Sequence, residues 1–482
     1  MNIKPIRVRF APSPTGLMHL GNVRTALLNF LFARQKNGTF VLRIEDTDPS
    51  RNFDPQAQNI IQDLNWLDLQ YDEGPHKEGK YKPYFQSERN NIHQEMFNKL
   101  KDKELVYRCF CTAQDLEKKR HQQLALKMPP RYDRTCIKLS DDEIKEKLEK
   151  KTPFIWRMKI NSNTSITVQD LARGPVTFNL KNFSDFPLTR QDGSFTFIFA
   201  NAVDDALMEI THVLRGEDHL TNTANQAVLY KALEFPLPLF WHLPILCNSE
   251  GKKLSKRDFG FSLKDLKQAG FLPEALVNYL AIIGGGKFEK EIMSLDELIK
   301  FIDFNNINST GHVRYDVEKL HWVNHKWIDQ YDSKKLLDIA RPFIEEKYPQ
   351  AKQIDDSKLN LILQKIKTDI TTLQDIPNII GFYFESPLIS RHVISEHFNE
   401  EQQEEISDII KNNISYLDKP ETFVKNIKNS AKTKNIPLKV IFSAIRLALT
   451  GSIKGPSIND LFEILESDKT TVRLELLISI LK

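Results

Sequence analysis

Residues 6–48 read IRVRFAPSPTGLMHLGNVRTALLNFLFARQKNGTFVLRIEDTD. Apolar residues alternate with arginine over residues 6–10, which predicts a strand. Apolar residues then recur at helical spacing over about residues 22–34, and a nearly continuous apolar run follows at residues 39–44. Strand, helix and strand make a βαβ unit, and this pattern predicts an α/β fold with buried parallel strands.

Two common nucleotide-binding motifs are absent from this unit. Gly16 and Gly21 have the spacing of a P-loop, but Asn22 and Val23 stand where that motif requires lysine and then serine or threonine. No GxGxxG motif occurs either, which argues against a dinucleotide oxidoreductase. Ligands of open α/β sheets bind beyond the carboxyl ends of the strands, so we expect the site near residues 9–13 and 45–48.

The turn before the predicted helix suits an anion. The first turn of a helix offers free N–H groups and the positive end of the helix dipole. His19 can donate a hydrogen bond to a phosphate oxygen, and Gly21 would let a flat base approach the backbone. A histidine in this place is also commonly structural, so the turn alone leaves both interpretations open.

The composition is that of a multidomain globular protein. A chain of 482 residues is long enough for about three domains at about 150 residues each. With 67 Lys+Arg and 64 Asp+Glu the net charge is +3, which excludes a uniformly basic nucleic-acid coat and an acidic disordered chain. Four cysteines exclude a disulfide scaffold. No secretory signal or membrane span is evident, and we expect a cytoplasmic protein with no membrane partner.

A second candidate element is the cationic segment GKKLSKRD at residues 251–258. It follows a strand-like apolar run at residues 243–246. Charge runs of this kind are commonly solvated surface loops. A mobile cationic loop also suits a leaving pyrophosphate, because the negative charge on the leaving group has to be stabilised.

Together the two elements resemble the HIGH and KMSKS signatures of class I aminoacyl-tRNA synthetases, as HLGN at residues 19–22 and KLSKR at residues 253–257. Further segments look like bacterial-type glutamyl-tRNA synthetase: RFAPSPTG at 9–16, RIEDTD at 43–48, VLRGEDH at 213–219, FLPEAL at 271–276, PLK at 437–439 and ALTGS at 448–452. The resemblance covers essentially the whole chain.

The resemblance implies a Rossmann-like parallel-sheet catalytic domain with an inserted acceptor-binding subdomain, followed by an all-helical anticodon-binding domain. We expect the catalytic domain at residues 1–80 and 190–240 and the inserted acceptor-stem-binding subdomain at 81–189. The KMSKS loop and stem-contact region then occupies residues 241–330, and the anticodon-binding domain residues 331–482. The expected reaction joins L-glutamate to tRNA(Glu) through a glutamyl-adenylate, with ATP as substrate, Mg²⁺ as cofactor and the enzyme as a monomer.

The resemblance also implies roles for individual residues. Those assigned to catalysis are His19, Lys253 and Lys256, and the same residues bind ATP with Gly21, Asn22, Leu254 and Ser255. The glutamate pocket is formed by Arg9, Ala11, Ser13, Glu45, Phe197, Asn201 and Arg215.

By the same resemblance, Arg9 and Arg215 face the side-chain carboxylate, and Glu45 and Ser13 help to place the ammonium and the α-carboxylate. A guanidinium fork pairs with a carboxylate and is a poor partner for the amide of glutamine. An arginine at a strand end also commonly pairs with a structural acid, for which Asp46 and Asp48 are candidates. Phe197 departs from the family, which usually has tyrosine there, and so lacks a hydroxyl.

Three cysteines lie in the predicted insertion: Cys109, Cys111 and Cys136. Thiolates at this spacing can hold zinc in a tetrahedral site, and some family members bind zinc here. Lys138 stands where some of them have a histidine ligand, which leaves Tyr132, His121 or water as the fourth ligand. The alternative is a trio of buried reduced cysteines.

Selection of tRNA is the largest departure from the family. Members that reject glutamine tRNA often carry an arginine three residues before a Thr-Leu pair, and here Asp369 precedes Thr372. An acid cannot donate to a base edge, although Lys365 and Lys367 could substitute. We therefore expect relaxed discrimination, with tRNA(Gln) as a second partner. The alternatives are an alignment shifted by one turn and, for the whole chain, a catalytically silent tRNA-binding paralogue.

Overall fold

The computed structural model describes residues 5–48, 50, 52–255, 257–284, 288–307 and 312–481. Two compact units are present, Met1–Leu266 with Leu276–Val317, and Lys267–Ala275 with Glu318–Lys482. The strands are β1 (Arg7–Phe10), β2 (Thr39–Leu42), β3 (Val106–Cys109), β4 (Ile155–Met158), β5 (Ser165–Asp170), β6 (Gly174–Asn179), β7 (His212–Gly216), β8 (Leu239–Leu243), β9 (Leu246–Cys247) and β10 (Val313–Arg314).

The α-helices, in chain order, are α1 (Leu20–Gln35), α2 (Gln58–Trp66), α3 (Asn90–Asp102), α4 (Ala113–Ala125), α5 (Asp141–Glu149), α6 (Phe197–Leu207), α7 (Leu220–Ala232), α8 (Leu263–Gln268), α9 (Pro273–Ile282), α10 (Leu295–Phe301), α11 (Val317–Gln330), α12 (Ser333–Lys347), α13 (Asp356–Ile366), α14 (Ile376–Ile379), α15 (Gly381–Phe384), α16 (Arg391–His397), α17 (Glu400–Asn413), α18 (Pro420–Thr433), α19 (Leu438–Thr450), α20 (Ile458–Ile464) and α21 (Ser467–Leu481).

The βαβ unit has the expected form. Strands β1 and β2 are parallel, with Arg9 opposite Val41. Helix α1 begins at Leu20, slightly before the expected start, because His19 caps it. Nearly every side chain of β1 and β2 is buried, as expected for parallel strands covered on both faces.

A second parallel pair lies beside this one, in a four-stranded sheet of order β6-β5-β8-β7. The N–H of Thr211, just before β7, donates to the carbonyl of Arg7 at the start of β1. Strands β7 and β8 are parallel, with Arg215 directly opposite His242. Strand β5, from the segment predicted as an insertion, pairs with β8 at Asp170. The carboxyl ends of β1 and β7 therefore lie at a common edge, where ligands bind in open α/β sheets.

Between β2 and α6 the chain forms an α+β segment. Strands β3 and β4 are antiparallel, and β5 and β6 form an antiparallel hairpin that ends the segment. Strand β5 alternates exposed and buried side chains, so one of its faces packs on the core. Many buried apolar residues of this segment and of α6 share a cluster that includes Phe97, Phe195 and Phe199, while Cys109, Phe110 and Cys136 form a separate one.

The described residues of the second unit contain helices and no strands. Its longest helices pack through buried apolar faces, with α21 against both α17 and α19. Asn399 caps α17 through a reciprocal hydrogen bond with Gln402. Helix α19 ends at Gly451, whose φ of 77° lies in the left-handed region that glycine tolerates. Within the described part of the chain, no helix has the length and apolar character needed to cross a membrane.

Candidate active site

A cleft of about 900 Å³ opens at the carboxyl ends of β1 and β7. It brings together residues that are far apart in the sequence and were predicted to bind ATP or glutamate: Arg9, Ala11, Ser13, His19, Gly21, Asn22, Glu45, Phe197, Asn201, Arg215 and Lys253. Leu254 and Ser255 do not line the cleft, and Lys256 lies outside the described residues.

The start of α1 fixes the orientation of the His19 ring. His19 Nδ1 accepts a hydrogen bond from the Asn22 backbone N–H at 3.2 Å, and the Asn22 side-chain oxygen accepts from the His19 N–H at 3.4 Å. Because Nδ1 is an acceptor, the proton of the neutral ring lies on Nε2. Burial and the nearby charge of Lys253 lower the pKa of His19, which keeps the ring neutral and Nε2 a donor.

Gly21 is explained by this ring. A Cβ at residue 21 would lie 3.0 Å from the imidazole of His19, closer than side chains normally approach. The space taken by the His19 ring is thus one reason for a glycine at residue 21. The expected approach of a flat base to the backbone is a second reason. Any larger residue would displace the donor that the cap positions.

The segment that follows the cationic loop is bound directly to the start of α1. The N–H of Leu20 donates to the Phe261 carbonyl at 3.0 Å, and the N–H of Leu263 donates to the Met18 carbonyl at 2.9 Å. The rings of His19 and Phe261 stack with centroids 5.2 Å apart. These contacts hold one end of the cationic loop beside the helix terminus.

Within the loop, Lys253 is directed towards the cleft. Its Nζ lies 3.0 Å from Oδ2 of Asp218, an acid that also lines the cleft. The hydroxyl and the backbone N–H of Ser255 both donate to Asp258, so this serine stabilises the loop itself. Leu254 is buried at 7% exposure and anchors the loop to the body.

Arg215 lines the cleft as a buried cation that has no carboxylate partner among the described residues. It is 6% exposed, and its Nη2 donates to Thr223 Oγ1 at 2.6 Å and to Gln226 Oε1 at 2.7 Å. Its Nε and Nη1 have no hydrogen-bond partner among the described residues. Burial, with the charge of Arg9, lowers the pKa of Arg215 to about 10, so it remains charged at neutral pH.

Arg9 is held by an acid that the sequence interpretation missed. Its Nε donates to both carboxylate oxygens of Asp205, at 3.1 and 3.2 Å, and Arg43 Nη1 donates to the same carboxylate at 2.7 Å. The suggestion that Asp46 or Asp48 would be the structural partner was wrong. Asp46 instead accepts from the backbone N–H and hydroxyl of Ser87, and Asp48 accepts from Ser50.

A signal for Asp205 was present in the sequence. Asp204 and Asp205 are adjacent acids in the mostly apolar helix α6, and buried acids require cationic partners. Asp204 accordingly pairs with Arg89 at 2.6 Å. No local pattern, however, indicates which of the chain's arginines would meet Asp205.

Glu45 and Asn201 extend the network across the cleft. Glu45 Oε1 accepts from Arg43 Nη2 at 3.0 Å and from the side-chain amide of Asn201. The oxygen of the Asn201 side chain in turn accepts from Gln226 Nε2 at 2.8 Å, which links the network to Arg215. Burial outweighs the charge of Arg43 and raises the pKa of Glu45.

The buried network has an excess of one positive charge. Its three guanidiniums are those of Arg9, Arg43 and Arg215, and its two carboxylates are those of Glu45 and Asp205. A ligand with one net negative charge would neutralise it, and an amino acid with an acidic side chain has that charge. Phe197 presents an aromatic ring 5.5 Å from the His219 ring at the side of the cleft and offers no hydrogen bond.

The three cysteines of the insertion form a second cluster. The Sγ atoms of Cys109, Cys111 and Cys136 all lie within 4.8 Å of one another. The Tyr132 hydroxyl is 3.3 Å from Cys109 Sγ, whereas His121 pairs with Glu117 at 3.2 Å. Three thiols converging on one point fit a soft cation such as zinc.

Comparisons with known proteins identify the family. The model of the tRNA synthetases class I (E and Q) catalytic domain matches residues 5–322, and an anticodon-binding-domain model matches residues 335–478. Glutamate–tRNA ligase of Bacillus pumilus (strain SAFR-032) is 35% identical over 98% of this chain and 99% of that protein. Glutamate–tRNA ligase of Aquifex aeolicus (strain VF5) is 37% identical over 97% and 98%.

A crystal structure of a glutamate tRNA ligase from Elizabethkingia meningosepticum CCUG26117, in complex with its amino acid, superimposes with a TM-score of 0.86 at 33% identity, covering 99% of this chain and 100% of that one. The catalytic-domain match alone spans more than half of the chain, and the curated relatives align over nearly their full lengths. This chain therefore belongs to the E and Q family of class I tRNA synthetases.

Proposed function

We propose that this chain is a glutamate–tRNA ligase, which activates L-glutamate with ATP and transfers it to tRNA(Glu). The observation that carries the proposal is Arg215, a buried cation with two free donors in a cleft whose network has one excess positive charge. The start of α1, with His19 as a donor, forms a phosphate-binding feature in the same cleft.

In the first step an oxygen of the glutamate α-carboxylate attacks the α-phosphorus of ATP. A bond forms between that oxygen and phosphorus, the bond to the bridging oxygen breaks, and pyrophosphate leaves. His19 Nε2–H and the N–H groups that start α1 bind phosphate oxygens, and Lys253 stabilises charge on the leaving group. Mg²⁺ bound to ATP supplies further neutralisation of the phosphates. The protein contributes mainly positioning and charge, as in other phosphoryl chemistry.

In the second step a terminal ribose hydroxyl of tRNA attacks the activated carbonyl, an ester bond forms and AMP leaves. Throughout both steps Arg215 and Arg9 would hold the side-chain carboxylate, and Glu45 would face the ammonium group. Glutamine would set its NH₂ against the N–H donors of Arg215 and would leave the excess positive charge of the network unneutralised. Selection of glutamate over glutamine thus follows from the charge of the pocket.

The proposal is tested by ATP–pyrophosphate exchange with glutamate or glutamine, each with and without tRNA. Exchange that depends on glutamate, and is at most weak with glutamine, is the expected result. Exchange with glutamine at comparable rates would contradict the assignment of the pocket. Binding of tRNA with no exchange for either amino acid would instead identify a catalytically silent paralogue.

We further propose the division of labour along the chain. Residues 81–189 would contact the acceptor stem, residues 241–330 would contain the KMSKS loop and contact the stem, and residues 331–482 would read the anticodon. The match of the anticodon-binding-domain model to residues 335–478 supports the last of these assignments. Residues 1–80 and 190–240 would supply the catalytic site, in agreement with most of the residues that line the cleft.

We also propose a zinc ion at the cysteine cluster, held by Cys109, Cys111 and Cys136 as thiolates. The Tyr132 hydroxyl lies 3.3 Å from Cys109 Sγ, and water is the other candidate for the fourth position. The ion would stabilise the segment between β3 and α5, where α4 has no buried residue of its own.

We also propose that the enzyme discriminates weakly between tRNA(Glu) and tRNA(Gln), on the basis of the residues around Asp369. This residue is exposed, and both lysines that could substitute for an arginine are engaged elsewhere. Lys365 Nζ lies 2.8 Å from acidic oxygens of Asp460 and Glu463. Lys367 Nζ donates to two backbone carbonyls, those of residues 329 and 331. With both lysines engaged, the exposed group at this position is Asp369, which interacts with the charge of Arg446. An acid in this place favours loading of both tRNA(Glu) and tRNA(Gln).

Charging assays with purified transcripts of the two tRNAs test this. We expect comparable charging by the wild type and a preference for tRNA(Glu) in Asp369→Arg. Asp418→Arg, which adds the same charge at another exposed acid, is the matched control and should leave the ratio unchanged. Strong preference of the wild type for tRNA(Glu) would contradict the proposal.

A further inference from the structure

We infer that Thr223, His242 and Asp170 form a hydrogen-bonded relay that positions the guanidinium of Arg215 for the substrate carboxylate. This inference rests on the proposed function, since it assigns Arg215 to the side-chain carboxylate of glutamate. The three residues do not touch the substrate in this assignment; they act through Arg215 and are positioning residues.

The relay is continuous and fully buried. Arg215 Nη2 donates to Thr223 Oγ1 at 2.6 Å, and Thr223 Oγ1 lies 2.8 Å from His242 Nε2. His242 Nδ1 lies 2.6 Å from Asp170 Oδ2. Thr223 and His242 are completely buried, and Asp170 is 3% exposed. Beyond Asp170 the chain of contacts ends on the backbone N–H groups of residues 172 and 173, which donate to its other oxygen.

The direction of each hydrogen bond follows from the chemistry of its groups. The carboxylate of Asp170 only accepts, so His242 Nδ1 carries the proton and Nε2 is left as an acceptor. The hydroxyl of Thr223 then donates to His242 Nε2 at 2.8 Å in preference to the His219 carbonyl at 3.2 Å, and its lone pairs remain for Arg215. Burial lowers the pKa of His242, which favours this neutral ring. Every donor in the relay therefore points from Arg215 towards Asp170.

The sheet accounts for how these residues meet. Arg215 on β7 lies directly opposite His242 on β8 in the parallel register. Strand β5 ends at Asp170 beside β8, and Thr223 lies in α7, above the same edge. Asp170 belongs to the segment predicted as an insertion, so that segment takes part in shaping the amino-acid pocket. A buried Asp–His pair is costly unless it is fully hydrogen-bonded. Apolar side chains would fill this part of the core without that cost.

These contacts fix the orientation of the Arg215 guanidinium. Its Nη2 makes both of its protein hydrogen bonds, to Thr223 and Gln226, which directs the remaining donors, Nε and Nη1, away from the protein acceptors. The ring of Phe240, 5.7 Å from the guanidinium carbon, restricts movement on one side. Preorganised donors of this kind bind a carboxylate without a further ordering cost.

The test compares Thr223→Val with Thr223→Ser, which differ in the presence of the hydroxyl, in ATP–pyrophosphate exchange by the full-length protein with its tRNA. We expect Thr223→Val to raise the glutamate KM by about tenfold to a hundredfold, the range for losing a hydrogen bond to a charged group, and to leave the ATP KM unchanged. Thr223→Ser should restore a KM near that of the wild type. Equal changes in both KM values, or a wild-type glutamate KM in Thr223→Val, would overturn the inference.

His242→Gln provides an independent arm. If His242 acts through Thr223, its substitution should raise the glutamate KM in the wild-type background and add nothing in the Thr223→Val background. Additive effects would show that the two residues act separately and would overturn the relay. Should Thr223→Val fail to fold, His242→Gln is used alone. A raised glutamate KM with an unchanged ATP KM would then support the relay, and equal changes in both KM values or a wild-type glutamate KM would overturn it. The proposed function is tested separately by the wild type, since absence of glutamate-dependent exchange in the wild type would refute it. The results with the variants bear only on the relay.

Discussion

Substitution of Arg215 by alanine tests the central element of the amino-acid pocket. The side chain is buried and, in the part of the chain that the structure describes, has no carboxylate partner and two donors without a hydrogen-bond partner. Its removal would leave the two carboxylates of the network still paired with Arg9 and Arg43, so we expect the fold to persist. The substrate carboxylate would lose its main charged partner.

The size of the effect follows from the hydrogen bonds and the charge pair that the substitution removes. Hydrogen bonds to charged groups contribute roughly 1.5–3 kcal/mol each, and truncating one partner of a buried charge pair costs about 2–5 kcal/mol. At about 1.36 kcal/mol for each factor of ten, the latter range corresponds to a loss of roughly 30-fold to 5,000-fold in kcat/KM for glutamate.

The assay is ATP–pyrophosphate exchange with tRNA present, measured as a function of glutamate and then of ATP. We expect the loss in kcat/KM to appear with glutamate as the varied substrate, with the ATP KM little changed. Arg215→Lys is the matched control, because it keeps the charge and removes the planar fork; it should recover part of the activity. A wild-type glutamate KM and kcat in Arg215→Ala would refute the reasoning and show that the residue is structural.

Further predictions concern the loop, the cysteines and pH. Lys253→Ala should lower the exchange rate by about 10²–10³ with little change in glutamate KM, while Lys252→Ala, beside it and paired with Glu250, should not. Metal analysis should find zinc in the wild type and in Cys247→Ser, and none in Cys111→Ser; zinc that persists in the latter would contradict the site. Burial lowers the pKa of His19, His212 and His242, whereas the unfolded chain takes up these protons near pH 6.5. The stability they contribute is therefore complete above about pH 6.5 and is lost as the pH falls, so the urea midpoint should drop between about pH 7.5 and 5.5.

Secondary-structure elements that depend on the local pattern of apolar and polar residues could be predicted from the sequence. The βαβ unit follows from periodicity, and the βαβ prediction is confirmed by the parallel pair β1–β2 around α1. The anion-binding role of the turn before α1 stays a prediction, which the observed start of the helix at Leu20 supports. The start of the helix was placed slightly late, because the cap formed by His19 and Asn22 extends the helix beyond its apolar stripe.

Contacts between distant segments could not be predicted. Arg9 and Asp205 are 196 positions apart, and no local feature pairs them. Gln226 likewise has no pattern of its own, yet it connects Arg215 to Asn201 and so closes the network. Only the folding of β7, α6 and α7 around the end of β1 decides which polar residues become partners.

These distant contacts also explain how one pocket can hold opposite charges close together. Arg9 and Arg43 share Asp205, and Glu45 is held by Arg43 and Asn201, so each of these charges is satisfied within the protein. Within this network Arg215 has only neutral acceptors among the described residues, and the field of Arg9 makes its charge more costly. A protein selected only for stability would have placed an acid beside it. This arrangement supports the proposal that the side-chain carboxylate of the substrate is the missing partner of Arg215.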